Sequence, residues 1–367
     1  MRRLTSVVLL VLASILPEAA AAAPPRVMVG YYATYGDLPV EQLPFDELTH
    51  VCHAFLRTDA KGELVTTDAM PNPSLCDAAH EHGVKVLVTL GGGLTVQGLE
   101  LVSKDPAKLQ GYADRVVQLV RDNGYDGVDL DWEFPRDAAT RAGHAALVAA
   151  LREGLDAAAD DADREAPYLL TAMVSPTAFF GQWIDAKAIT PHVDWLAVMA
   201  YDLSGEWSRF AGHPAPLFAS PRDPEADERS VAGAMRYWRD TRGVPAEKLV
   251  MGLPMYGRLL PVAEPYDRLD PAKAEDHRAV GYAEIRELVG KGWPSEWDND
   301  SQAPWLQAIE GRSEVIGYDD PASVAKKAAW SQEQSLRGMH FWALHQDRMP
   351  DGKHWLLRAA NKAWPAE

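Results

Sequence analysis

The sequence predicts an α/β fold, a TIM (β/α)8 barrel, and three observations carry that expectation. Eight short β-branched or apolar runs recur along the chain, each followed by a stretch of helical character. One of these runs carries three acids at strict alternation, as a strand with one polar interior face would. The chain has 367 residues, and barrels of this class commonly run to about 250 residues as one domain. The excess falls in a single interval, late in the chain.

The runs are Val27–Tyr31, Leu48–Leu56, Val84–Leu90, Gly127–Glu133, Tyr168–Ser175, Trp195–Tyr201, Leu249–Tyr256 and Gly338–Leu344. Between the third and fourth, Asp105-Pro106 starts a helix whose Leu109, Val116, Val117 and Val120 fall at helical spacing. After the fourth, 141–159 is rich in Ala and Leu and reads as an amphipathic helix. The interval between the seventh and eighth runs is far longer than one helix needs. Residues 259–317, rich in Trp and Pro, are therefore expected to form a small α+β insertion between strands 7 and 8.

The first residues read as an address. Arg2 and Arg3 precede an apolar run from Val7 to Leu16, and Ala19 to Ala23 supply small residues for cleavage. That is the build of a secretory signal peptide over 1–23, which leaves 24–367 as the catalytic domain and predicts a secreted or periplasmic protein. The apolar run stops at Pro17-Glu18, short of the roughly 20 residues a membrane span needs. No other stretch is long enough, so no membrane partner is expected. A formal charge of −17 repels nucleic acid and anionic lipid alike, whereas a neutral polysaccharide is compatible with it. Cys52 and Cys76 are the two cysteines. In an oxidising compartment they could pair, or they could be two buried thiols; spacing alone leaves both open.

The densest chemistry lies in Asp126-Gly127-Val128-Asp129-Leu130-Asp131-Trp132-Glu133-Phe134-Pro135. With a side-chain period of two, Asp129, Asp131 and Glu133 share one face, and Val128, Leu130 and Trp132 the other. Unpaired acids on an interior face are costly as pure structure, and Glu133 falls where barrel active sites sit. A calcium loop would want Gly at its sixth position and Glu at its twelfth, where this chain has Phe134 and Thr140. Acid/base catalysis remains, and no metal or cofactor is called for. His80-Glu81-His82 is no metal pair either, since helical residues two apart do not face each other.

The pattern D-x-x-D-x-D-x-E at Asp126–Glu133 resembles the signature of the family 18 glycoside hydrolases, the chitinase family. Met199-Ala200-Tyr201-Asp202 is similar to its sixth-strand motif, followed here by Gly205-Glu206-Trp207. Val29-Gly30-Tyr31-Tyr32, Leu48-Thr49-His50 to Phe55, and Gly252 to Arg258 resemble the first, second and seventh strands. Gly281 to Ile285 and Tyr318-Asp319-Asp320-Pro321 resemble the α+β insertion of one subgroup. There are departures. Thr89 stands where the family usually has Ser, and Gly93 where it has Trp, which implies weaker hold of sugar on the non-reducing side. Leu344-His345-Gln346-Asp347 replaces the usual acids after the last Trp.

The resemblance implies a retaining, substrate-assisted cleavage of β-1,4-linked N-acetylglucosamine polymers such as chitin or its oligosaccharides. Glu133 is the implied proton donor, Asp131 holds the acetamido N–H, and Asp129 shares a proton with Asp131, backed by Thr89 and Tyr31. Tyr201 donates to the acetamido carbonyl, with Asp202 binding substrate beside it and Arg258 orienting Asp202 or a sugar hydroxyl. Trp342 is the implied aromatic floor, and Phe55, Gly91, Gly92, Phe134, Met199 and Tyr256 complete the expected sugar contacts. Trp183, Trp207, Trp297 and Trp305 either extend that platform or simply pack. Two other readings stay open: a related hydrolase acting on peptidoglycan or N-glycan cores, and a non-catalytic lectin, against which the acid at 133 argues.

Overall fold

A computed structural model describes residues 24–225, 229–309 and 311–366. The signal-peptide expectation for 1–23 lies outside the described residues. Eight parallel strands form the core: β1 (Val27–Ala33), β2 (His50–Thr58), β3 (Lys85–Gly91), β4 (Gly127–Asp131), β5 (Leu169–Val174), β6 (Trp195–Val198), β7 (Leu249–Pro254) and β8 (Gly338–Trp342). Each pairs with its sequence neighbour, and β1 pairs with both β2 and β8, so the sheet closes. The barrel removes every sheet edge within it and leaves two mouths.

Every expected run contains a strand, and the differences lie at the ends. β4 stops at Asp131 and β6 at Val198, so Glu133 and Tyr201 stand beyond the ladder instead of within it. Freed from strand pairing, their side chains can converge over the mouth. The helix over Pro106–Asp122 begins as its sequence demands, with Asp105 accepting from the amide of Ala107 at 3.0 Å and Pro at the first turn. The next helix, Ala138–Asp161, starts from a reciprocal cap in which Asp137 accepts from the Thr140 amide at 2.8 Å. That cap ends the loop that carries Glu133, and so fixes its downstream anchor.

Between β7 and β8 the chain builds a five-stranded antiparallel sheet. Its order is Arg278–Gly281, Tyr256–Leu260, Val315–Gly317, Ala303–Gln307, Ser295–Asp298, with a helix at Tyr282–Leu288. The sheet starts at Tyr256, three residues before the expected 259, because the chain leaves β7 at Pro254 and re-pairs at once. Arg258 therefore belongs to the insertion, while its side chain reaches the barrel mouth. A second apolar cluster (Ala211, Leu260, Val262, Tyr266, Leu269, Trp305 and Val315) joins this sheet to the loop after β6. Trp305 is spent here, 3% exposed and 4.0 Å from the His213 ring, so it is no sugar platform.

The cysteines are both free and buried. Cys52 lies among Tyr31, Thr89 and Asp129 in the barrel interior. Cys76 lies on the outer helix Pro73–Glu81, beside Gly124 and Asp126. They sit on opposite sides of the sheet, which settles in favour of thiols what spacing left open. Burial raises the Cys76 thiol to about 12, so it is inert at neutral pH.

One buried ion pair locks the insertion's exit to the barrel. Lys327, fully buried on the helix Pro321–Glu333, donates to Asp319 and to the carbonyl of Ala215 on the loop after β6. Removing one partner of such a pair leaves an uncompensated charge. Lys327→Met is expected to cost about 3–5 kcal/mol of unfolding free energy, read from urea denaturation; a loss within experimental error would contradict that role.

Candidate active site

Strand register decides what surrounds Asp129. Thr89 on β3 and Thr171 on β5 are its ladder partners on either side. Both hydroxyls donate to it, Thr171 Oγ1 at 2.5 Å and Thr89 Oγ1 at 3.2 Å, and Tyr31 Oη reaches across from β1 at 2.9 Å. Asp129 is fully buried. Burial raises its carboxyl above the ordinary value, and the Thr171, Tyr31 and Thr89 hydroxyls pull the other way. The three hydroxyls, by donating to it, favour its ionised form against that burial.

One step up the strand, Asp131 is buried too, and no cation is near it. Burial lifts its carboxyl well above the usual range, and the charges of Glu133 and Asp129 add to the shift. It lies beside Glu133, a contact that favours the protonated form of Asp131. Asp129 accepts from three hydroxyls, and Asp131 has Glu133 beside it.

Glu133 sits at the mouth. Burial raises its carboxyl; the bond from Asp131 and the Gly93 amide lower it, and the charge of Asp202 raises it. A carboxyl held partly protonated above the ordinary range is what a proton donor requires. Gly91 and Gly92 let the third strand pass close behind this stack. A Cβ on Gly91 would lie 2.0 Å from the Asp131 carbonyl oxygen, and φ at the two residues is +131° and +87°.

Gly93 is different. Its added Cβ would meet only Glu133 Oε1, at 3.9 Å. It adjoins the acid and lines a cleft with Phe134 and Phe180, not with Trp342, Tyr31 or Phe55. The residue missing its side chain thus lies on the leaving-group side. This corrects the expectation of a non-reducing-side role, because the acid must stand between the reacting sugar and the group it protonates.

Around this axis the remaining expected residues gather. Tyr201, 7% exposed, has no hydrogen-bond partner among the described residues, and its hydroxyl lies near Asp131, Glu133 and Asp202. Burial raises it well above the ordinary phenol, so it stays a donor. Asp202 holds φ +53°, a left-handed conformation that Asp tolerates. It accepts from Tyr256 Oη at 2.7 Å and from Arg258, Nε at 3.0 Å and Nη2 at 2.7 Å. Arg258 also reaches Glu206 at 3.1 Å and lies over the Trp207 ring, 4.9 Å from its centroid. So Arg258 orients Asp202, the first of its two expected roles.

Trp342, half-buried at the end of β8, packs on Tyr31 at 5.3 Å and on Phe55 at 5.4 Å between ring centroids. Tyr31 and Phe55 thus support the floor from beneath, and Tyr31 spends its hydroxyl on Asp129. Phe134 stacks on Phe180 at 4.8 Å. A cavity of about 750 Å³ is lined by Glu133, Phe134, Met199, Tyr201, Asp202 and Trp207 among others. Of the four further tryptophans, Trp207 alone lines it.

Sequence reasoning missed Thr171, Phe179, Phe180 and His340. Thr171 was findable, since a hydroxyl on the next strand at the register of Asp129 is a ready donor. Phe179, 72% exposed beside the acid's cavity, had only its doubled aromatic as a signal. His340 lies beneath Tyr31 and Tyr201, with ring centroids at 5.4 and 5.9 Å. Burial holds it neutral, its pKa lowered to about 4.

The profile of the Glycosyl hydrolases family 18 matches residues 27–347. Chitinase 1 of Aphanocladium album is similar at 26% identity over 326 residues, 82% of this chain and 76% of the relative. A class V chitinase of Arabidopsis thaliana is similar at 27% over 357 residues, covering 93% and 90% of the two chains. In three dimensions the class V chitinase of Nicotiana tobaccum, solved in complex with NAG4, superposes with a TM-score of 0.82 at 23% identity, over 93% of this chain and 99% of that one.

The position of Asp202 predicts a pH effect. Its negative charge favours the protonated form of Glu133, the form in which a carboxyl can serve as proton donor. Activity therefore falls as pH rises through the Glu133 pKa. Asp202→Asn should move the alkaline limb of the kcat/KM profile to lower pH; a shift upward, or none, would contradict the coupling.

Proposed function

This chain belongs to glycosyl hydrolase family 18, a chitinase-type enzyme, and we propose that it is exported and cleaves β-1,4-linked N-acetylglucosamine polymers with retention, by substrate assistance. The observation that carries the mechanism is the burial of Asp131 between two other carboxyls, with Glu133 beside it. In a two-carboxylate retaining enzyme the second carboxylate must be ionised and free to attack the anomeric carbon. Asp131 is poorly suited to that: burial and the charges of Glu133 and Asp129 favour its protonated form.

The nucleophile then comes from the substrate, as its own 2-acetamido oxygen. With the reacting sugar stacked on Trp342, Tyr201 offers its unspent hydroxyl to the acetamido carbonyl. Asp131 takes the amide N–H once Glu133 has given its proton to the leaving oxygen. As the positive oxazolinium forms, the buried carboxyls face it without a competing cation. Glu133, now ionised, accepts a proton from the incoming water. Support for chitin as substrate comes from the similar chitinases and from the aromatic residues that line the cavity beside Glu133.

Glu133→Gln should keep fold and sugar binding and lose about 10²–10⁴-fold in turnover, measured on chitin oligosaccharides. Tyr201→Phe should cost about 2–4 kcal/mol of transition-state stabilisation if it acts like an oxyanion donor. The mechanism itself is checked with partly deacetylated chitin. Cuts should follow acetylated units only and release the β-anomer first. Efficient cleavage after glucosamine, or an α-anomer, would reopen direct displacement. Product analysis on purified peptidoglycan and on a glycoprotein, run beside chitin, tests the substrate.

A further inference from the structure

His340 is a buried titratable side chain to which the mechanism gives no part. It lies on β8 two residues before Trp342, so the two side chains share one face of the strand. Its Nε2 stands 3.0 Å from the carbonyl oxygen of Val198, the last residue of β6. Between β8 and β6 runs β7, where Gly252 is the register partner of His340. A Cβ at Gly252 would clash with His340 Nε2 and lie 2.5 Å from the Val198 carbonyl oxygen. The side chain missing from β7 is what lets the imidazole reach across one strand to the next.

Val198 is where the chain leaves the ladder. Beyond it the Ala200 amide turns back to the Val198 carbonyl at 2.8 Å, and the Tyr201 amide to the Met199 carbonyl at 2.7 Å. The Tyr201 hydroxyl has no hydrogen-bond partner among the described residues, so no polar contact within them aims it. Its direction is set by where its backbone starts and by what its ring packs on. His340 bears on both. It holds the Val198 carbonyl three residues upstream, and its ring meets the Tyr201 ring edge-on, with centroids 5.9 Å apart and planes at 69°. It meets Tyr31 in the same way, at 5.4 Å and 66°.

A carbonyl oxygen only accepts, so Nε2 carries the ring hydrogen when the imidazole is neutral, and Nδ1 is left bare. Burial keeps the ring neutral, lowering its pKa to about 4 against the pull of the Val198 carbonyl. Nδ1 is buried with no donor to meet it. A buried acceptor without a donor is unfavourable, and an apolar side chain of similar size would fill the space without that cost. What an apolar side chain would not supply is the N–H on the Val198 carbonyl.

We propose that His340 is a positioning residue, which aims the Tyr201 hydroxyl at the acetamido carbonyl by holding the Val198 carbonyl and packing against the Tyr201 ring. Fully buried, it touches no substrate itself. This role rests on the reading of Tyr201 as the donor to the acetamido group.

Kinetics of the full chain on chitin oligosaccharides test it. His340→Met is close in size but has no donor. It should lower kcat at least tenfold and leave KM within about twofold, since a misaimed hydroxyl is missed mainly in the transition state. His340→Gln keeps an N–H near the place of Nε2 and should recover kcat to within about threefold of the parent. In a Tyr201→Phe background there is no hydroxyl to aim, so His340→Met should cost less than about twofold more. A kcat within twofold of the parent in His340→Met would overturn the proposal. So would an undiminished loss in the Tyr201→Phe background, the mark of lost packing alone, or a His340→Gln as slow as His340→Met. Tyr201→Phe at the parental rate would instead overturn the reading of Tyr201, and this role with it. Should His340→Met fail to fold, nitrogen NMR of the parent chain with labelled histidine decides, its signal assigned by loss in His340→Gln. A hydrogen on Nε2 supports the proposal, and the tautomer with hydrogen on Nδ1 overturns it.

Discussion

Three carboxyls stacked along one barrel strand, with no cation against them, set the terms for everything else in this molecule. Charge of one sign in a dry interior is relieved by only a few means: hydrogen bonds, retained protons, or exposure. Each carboxyl uses a different one. Asp129 accepts from three hydroxyls, burial favours the protonated form of Asp131, and Glu133 stands at the mouth. The graded environment, from buried and hydrogen-bonded to accessible, is also a graded chemistry. Only the outermost group can exchange a proton with something outside the protein.

The surroundings follow from that stack. Hydroxyls must sit at the register of Asp129 on both neighbouring strands, and β3 must pass so close to Asp131 that only glycine fits at 91. The wall opposite is built from an element outside the barrel. Arg258, on the first strand of the insertion, binds Asp202 and Glu206, so the geometry of the acid's neighbour depends on how the insertion docks. That docking is secured by buried polar pairs, Lys327 with Asp319 and Tyr266 with Asp298 at 2.6 Å, the latter beside His213 at 3.6 Å. Pairs of this kind are poor sources of net stability but tolerate little displacement. They suit an interface that must hold one orientation.

Most of the barrel was legible in the sequence because strand burial and strand chemistry coincide there. Eight apolar runs became eight strands, and the alternation at Asp129, Asp131 and Glu133 already placed three acids on one face. The surroundings of Asp129 were not fully legible. They include Thr171, a residue distant in sequence whose hydroxyl donates to Asp129 from the next strand. Gly93 was noticed for the right reason and assigned to the wrong side, because a missing side chain has no direction until its neighbours are known. Trp305 shows the same limit. An aromatic in an insertion looks alike whether it faces sugar or His213, and only the fold of the second cluster decides.

The parallel topology gives the mouth that holds the acids an electrostatic bias of its own. Every strand runs toward Glu133, so the flanking helices run back, their N-termini near the acids. Helix ends carry about half a charge each, positive at the N-terminus and negative at the C-terminus, felt within the first and last turns. Acids gathered at this mouth stand in the field that favours them. No single helix end offsets a buried charge, as its contribution is typically about 0.3–1 kcal/mol. Several directed the same way bias what the mouth can bear. The mouth whose field favours anions holds this chain's own carboxyls and does the chemistry.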